Sequence, residues 1–376
     1  MILDHRWLSD DEINRSKDRA RAKAAEQQPH RHHVVPQMYL RRWRPESGPE
    51  KKRVLRTHVD SGEAESRNPD SIEWEPDFYQ MSADDIDPVA TPEMWFEEHM
   101  ARVENDAAWW LRKVSERRVG RLHDKKLILD LAVFIGLQSQ RSRRSRQMEV
   151  NIDAAIERFG VPEVVSEPDM LQRLCLMEGV RYVPSQHEEI VRRMARKLAR
   201  RTRISKAPNG AAARILNSSI QVWRGAVVPR LATSRSWWLL STEAPLATCD
   251  EPVIYLGSKR KRNDPQAYTM DNAPLILFPI DPHHAIAIAD RIRCRPSGPF
   301  ELGTDDVNST NFEVAAASLQ HMFERPGSGI AETIRVPQRS HIDPSASSTF
   351  AEYVAPPPRW VSEEGPEWAF QRWIYW

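Results

Sequence analysis

From Asp124 to Arg141 the apolar residues fall on one side of a helix, and that side does not end in an apolar residue. Leu127, Leu131, Phe134 and Ile135 recur at a period of about 3.6 residues. Continuing the same face at i+3 and i+4 brings Gln138 and then Arg141 inward. An amide and a guanidinium thus point into an interior where an unpaired buried charge is very costly. The preceding helix supplies the natural partners. It opens with Thr91 as cap and Pro92 at its first position, and Phe96, Met100, Val103, Ala107, Trp110, Leu111 and Val114 form its apolar stripe. Glu93, Glu97 and Glu104 border that stripe. Glu97 and Glu104 are two turns apart, ~10 Å along the axis, too far to share one small ion directly. A charge-paired cluster of glutamate with Arg141 and Gln138 follows.

Further helices are expected over 9–28, 146–159, 168–178, 185–203 and from Thr304 onward, with Ser185 and Glu188 spaced as a capping box. Residues 53–60 read as a strand, and 61–90, rich in Asp, Glu, Ser and Pro, as loop. After about residue 236, SWWLLS, PVIYL, APLILFPI and HAIAIAD are short apolar runs between turn residues, the pattern of β-strands. Helices first and strands later predict an α+β fold, a helical N-terminal two-thirds packed on a small, mainly antiparallel sheet from the C-terminal third. The expected organisation is a polar helical arm over 1–29, one globular domain over 30–336, and a Pro/Ser-rich tail over 337–376. The tail ends in Trp360, Trp368, Phe370, Trp373, Tyr375 and Trp376. So many aromatics argue that it docks on the body or on a protein partner.

The 376 residues carry 54 basic and 53 acidic side chains, so attraction to a polyanion would come from a local patch. Such a patch exists: Arg192, Arg193, Arg196, Lys197, Arg200, Arg201, Arg203 and Lys206 lie within 15 positions uninterrupted by an acid. With Ile190, Met194 and Leu198 as its apolar side, this helix reads either as a solvated face or as a contact for nucleic-acid phosphates. Cys175, Cys249 and Cys294 are odd in number and far apart, fitting core positions in a reducing compartment. No signal-peptide pattern and no apolar stretch near ~18 residues is present, so the expectation is a cytoplasmic protein without a membrane partner.

The richest chemistry is in HRHHVVPQMYLRRW, His30 to Trp43. His33 stands just before a short helix opened by Pro36, as general base, proton donor or metal ligand, or as a structural cap. Gln37 lies close enough to orient it. His30 and His32 add a possible divalent-metal cluster, and Met38, Tyr39, Leu40 and Trp43 read as the apolar anchor. Asp250, in TCDEPV, sits at a strand end and reads equally as a turn aspartate or a catalytic carboxylate. Asn308 and Asn311 begin a helix. No Gly-rich phosphate loop or GxSxG elbow occurs.

The order of these motifs resembles the family known as domain of unknown function 4238. HxVPQxYLRRW (His33 to Trp43), Glu97 with Glu104, QSQRSRR (Gln138 to Arg144), TCDEPV (Thr248 to Val253), LFPIDP (Leu277 to Pro282) and VNSTNFEVA (Val307 to Ala315) carry the resemblance over roughly residues 30–326. Two positions depart from the family pattern: Glu251 stands where Asn is usual, and Ser142-Arg143 where Thr-Pro is usual. The resemblance implies a fold neighbourhood and no activity. From the residues, the expected function is phosphodiester hydrolysis on nucleic acid, a nuclease-like reaction. His33 would act as acid or base, with Gln37, Glu97, Glu104, Gln138, Arg141 and Asp250 around it. The alternatives are a non-catalytic nucleic-acid or nucleotide-binding module and a protein-interaction component acting through its tail.

Overall fold

The computed structural model describes residues 10–25, 31–76, 78–79, 92–177, 180, 182–204, 219–220, 222–257, 270, 273–334, 347, 349–350, 353 and 370–374. The first residue and the end of the helix expected over 9–28, the Thr91 cap and His30 lie outside them. So do the side chains of Arg200 and Arg201, and most of the tail.

The chain runs through α1 (Asp10–Ala24), β1 (Arg31–His33), α2 (Gln37–Leu40), β2 (Val54–His58), β3 (Ala64–Arg67), β4 (Trp74–Pro76) and α3 (Trp95–Ser115). It continues with β5 (Gly120–Leu122), α4 (Lys125–Gln140), α5 (Arg143–Phe159), α6 (Val161–Ser166), α7 (Pro168–Met177) and α8 (His187–Ile204). A π-helical turn, Trp223–Val227, leads into α9 (Val228–Ser234), then β6 (Arg235–Thr242), β7 (Thr248–Cys249), β8 (Ile254–Leu256), β9 (Leu275–Asp281) and β10 (His284–Asp290). The last elements are β11 (Glu301–Leu302), α10 (Thr304–Ala317), β12 (His321–Glu324) and α11 (Ile330–Thr333).

The fold is mixed, with helices and antiparallel sheets, but the strands are not confined to the C-terminal third. The largest sheet has the order β11-β6-β10-β9-β8 with β5 also on β6, antiparallel throughout except the short β11–β6 pair. A second sheet runs β3-β2-β12-β7, and β1 pairs β4 in a separate ribbon. The acidic stretch read as loop therefore contains β3 and β4. Their exposed or half-buried side chains lack the apolar alternation that marks a strand in sequence.

The central sheet is covered on both faces, which accounts for the nearly continuous apolar runs of β9 and β10. Ile276, Phe278 and Ile280 pack in one cluster with the α3 and α4 stripes and with Tyr39, Leu40 and Trp43. Their neighbours Leu275 and Leu277 join Val307 and Val314 of α10 and the C-terminal Phe370 and Trp373. A third cluster unites α5 to α8 through Ile152, Ile156, Leu171, Leu174, Met194 and Leu198.

Element starts differ in detail from the sequence expectation. α3 begins behind a turn in which the Trp95 amide bonds the Pro92 carbonyl. α10 takes Gly303 as N-cap, with Thr304 as its first residue. Asp124 does cap α4, accepting from the Lys126 and Leu127 amides. Among the described residues no helix is long and apolar enough to cross a membrane, and all three cysteines are buried and free.

Candidate functional site

The β1–β4 ribbon organises the polar interior. His32 pairs with Glu75 and His33 with Trp74 across it, and the Val34 amide bonds the Glu73 carbonyl at 2.8 Å. Two clusters of charged side chains meet this ribbon.

In the first, Arg141 ends α4 at 4% exposure. Its three guanidinium nitrogens donate to Glu104, to the main-chain carbonyl of His33 and, at 3.1 Å, to the Tyr79 hydroxyl. The inward turn of the α4 face is thus satisfied by groups from three segments, as an enclosed cation requires. The Tyr79 amide donates to His32 Nδ1 at 2.7 Å. That leaves the His32 proton on Nε2, 2.7 Å from Glu97 Oε2. Tyr79 stacks on His32, and burial pushes its hydroxyl up to about 12, so it stays protonated. Burial opposes ionisation of Glu97 most strongly, but the His32 bond and the neighbouring charges, Lys23 and Arg141 among them, together hold the carboxyl below its ordinary range. Glu97 and Glu104 accordingly serve separate partners. Gln138 is buried, and its Nε2 meets no acceptor among the described residues.

His33 itself is half-buried. Gln37 Nε2 lies 2.9 Å from His33 Nε2, while Gln37 Oε1 accepts from Arg41 at 2.9 Å and Arg41 pairs with Asp70. This relay fixes the Gln37 amide so that its N–H faces the imidazole. Burial lowers the His33 pKa, against the opposing pull of the Asp70 main chain and the Glu104 charge. The ring is neutral at neutral pH.

The second cluster comprises Glu73, Asp250 and His321, whose ligand-capable atoms all lie within 4.8 Å of one another. Glu73 adopts a left-handed backbone at φ 53°, costly for a side-chain-bearing residue, and is 4% exposed. It meets His321 Nδ1 at 3.0 Å and Arg143 Nη1 at 2.6 Å. Arg143 also reaches Glu75 at 2.6 Å. Asp250 accepts the amides of Leu319, Gln320 and His321 at 2.8, 2.7 and 3.2 Å, tying the end of β7 to the turn after α10. Burial and the Glu73 charge raise its pKa, and the three amides draw it back. Glu251 accepts the Arg144 amide at 2.9 Å, at the first turn of α5. This is the position where the family pattern has Asn.

His33, Glu97, Glu104 and Arg141 therefore share one bonded network, whereas Asp250 belongs to the neighbouring cluster that Glu73 joins to the ribbon. Sequence reading missed Glu73, Tyr79, Arg143 and His321 as cluster members. The available signal was the alternation in SIEWEP, where Glu73 and Glu75 flank Trp74 next to Ile72. His32 is enclosed against Tyr79 and Glu97 rather than displayed on an open histidine loop.

The other motifs bind one another. Tyr39 hydroxyl bonds the Pro279 carbonyl at 2.6 Å and Thr248 Oγ1 at 2.7 Å. Trp43 Nε1 donates to the Leu246 carbonyl, and Arg42 to Asp281 and Ser115. Asn311 clamps the same loop through the Ala247 amide and the Pro245 carbonyl. Asn308, with Asn311, lines a surface cleft that also includes Phe312 and Ile330, and no residue of the two charged clusters borders it.

On α8, Arg192, Arg193 and Arg196 are exposed and Lys197 half-buried, while Ile190, Met194 and Leu198 are buried. At the C-terminus Phe370, Trp373 and Ile374 are buried. Trp373 Nε1 donates to the Ser297 carbonyl and Arg372 pairs with Asp306. These aromatics are engaged by the body of the protein.

No curated protein and no solved structure matches the chain. Residues 31–328 match the family described as Protein of unknown function (DUF4238), and the chain belongs to that family.

Proposed function

We propose that the protein is a phosphodiester hydrolase acting on nucleic acid, with His33 as its acid–base group. The observation that carries this reading is the state of the His33 imidazole: neutral by burial, half-open, and fixed from both sides. Gln37 holds the ring, and Arg141 with Tyr79 holds its main-chain carbonyl. A general base needs a neutral nitrogen in a set orientation. The reacting water or hydroxyl takes the Nε2 lone pair that Gln37 caps here.

Arg141 is a positioning residue in this scheme, because its three nitrogens are committed and enclosed. Arg41, linked to His33 through Gln37, is a guanidinium that also reaches solvent, its side chain 39% exposed. It would meet the phosphate. Exposed Arg192, Arg193 and Arg196 would hold the strand.

The test is cleavage of RNA and DNA oligonucleotides by purified protein with and without divalent ions. His33→Ala should lower kcat by about 100-fold or more, the usual contribution of a general base, with KM little changed. The acid limb of the wild-type profile should lie below pH ~6.5, the ordinary histidine value. Equal cleavage by wild type and His33→Ala removes the proposal.

The same exposed arginines support a second reading, a non-catalytic nucleic-acid binder. It expects no turnover under any ion. It also expects a salt slope that falls by about one unit for each phosphate-contacting arginine replaced among Arg192, Arg193 and Arg196.

A further inference from the structure

The Glu73, Asp250 and His321 cluster is assembled from three distant segments. Strand pairing supplies two of them: β12 lies against β7 with Met322 opposite Cys249, and the next step brings the Asp250 amide onto the His321 carbonyl at 3.0 Å. The β1–β4 ribbon brings the third, with Glu73 fixed by the Val34 amide on its carbonyl.

Both carboxylates are then held by a second group. Arg143 holds Glu73 at Oε2, leaving Oε1 toward His321 Nδ1. Three main-chain amides hold Asp250, one on Oδ1 and two on Oδ2, so Oδ1 keeps a free lone pair. Ligands oriented by outer partners in this way are characteristic of metal sites.

Charge gives an independent argument. Glu73 and Asp250 are 4% and 2% exposed. Asp250 has no cationic side chain in ion-pair contact among the described residues, and Arg143 is shared between Glu73 and Glu75. Two enclosed carboxylates thus face part of one guanidinium and a single imidazole, an excess of negative charge that a bound cation offsets. The spacing suits one. Ligands at about 2.0–2.2 Å from a common ion stand roughly 3–4.4 Å apart, so the observed limit of 4.8 Å closes with small side-chain adjustments. One imidazole with two carboxylates favours a first-row transition ion over Mg2+ or Ca2+, which take oxygen ligands.

We propose that Glu73, Asp250 and His321 bind one divalent transition-metal ion, with Arg143 as an outer partner of Glu73. The ion replaces the proton between Glu73 Oε1 and His321 Nδ1 and leaves its remaining positions to water. This assignment is independent of the His33 reading, since its readout is binding.

The full chain, stripped with chelator, is titrated with Mn2+ and followed by electron paramagnetic resonance. One ion per chain is expected, with pulsed spectra showing one directly coordinated imidazole nitrogen. His321→Ala and Asp250→Asn should each weaken binding at least 10-fold. His284→Ala, at the separate His284–Asp281 pair, should leave it unchanged. The wild-type spectrum stands alone should a variant fail to fold. Absence of saturable binding below roughly 1 mM Mn2+, the weak end of protein cation sites, overturns the proposal. So does bound Mn2+ without a nitrogen ligand, or folded His321→Ala and Asp250→Asn variants that bind as wild type does.

Discussion

Arg141 shows how far a single residue could be read in advance. Its place on the inner face of α4 followed from periodicity alone, and so did the expectation of an acidic partner on α3. The His33 carbonyl and the Tyr79 hydroxyl did not, because periodicity gives the direction of a side chain and not which distant segment meets it. The geometry makes Arg141 a three-way tie between α3, the β1–β4 ribbon and Tyr79. Arg141→Met should therefore leave Glu104 and a buried carbonyl without their partner, and cost about 3–5 kcal/mol. Arg141→Lys should recover little, since an ammonium cannot reproduce a planar fork aimed in three directions. Chemical denaturation of the two variants checks this. A loss under about 1 kcal/mol, the level of an exposed pair, would show that the network contributes little to folding.

At the scale of elements, the long amphipathic helices and the apolar strands were legible because their burial is one-sided or complete. The edge strands β3 and β4 were not, since their side chains are polar and their existence depends on β2 and β1 as partners. Met38, Tyr39, Leu40 and Trp43 read in sequence as an apolar anchor, and the structure gives that word its content: Tyr39 and Trp43, joined by Arg42, stitch α2 and the turn after it to the β9–β10 turn and to the loop before β7. Tyr39 is the central stitch. Tyr39→Phe keeps the ring against Phe278 and Trp43 but leaves the Pro279 carbonyl and Thr248 hydroxyl short of a partner. It should cost about 1–3 kcal/mol, the penalty for stranding a buried polar group. Thermal unfolding checks it, and Thr248→Val in the Tyr39→Phe background should cost less than in wild type if the two groups form one unit.

For the whole molecule, what sequence could not supply was the two-sided cover of the central sheet, with α3 and α4 on one face and α10 with the chain end on the other. The packed body also holds carboxyl groups with opposite preferences, Asp281 at the end of β9 and Glu324 on β12 of the second sheet, so stability depends on pH at both ends. Asp281 is half-buried, and although that burial opposes its ionisation, His284, the His283 amide and Arg42 hold it well below the ordinary range. Its contribution is present above its unfolded pKa and is lost as pH falls through the folded one. Glu324 is the opposite case. Burial and the nearby Glu332 charge push it up to about 7, although the Ile330 and Ala331 amides donate to it. A raised carboxyl favours the protonated folded state, so its contribution is full below the unfolded pKa near 4.3 and disappears as pH rises through about 7. Glu324→Gln keeps an acceptor for the two amides and removes the ionisation. The melting temperature of this variant relative to wild type should rise between pH 5.5 and about pH 7 and level off above that. A difference that stays constant over that interval would mean that Glu324 ionises in the folded protein as it does in the unfolded chain, and that β12 tolerates the charge in its present enclosure.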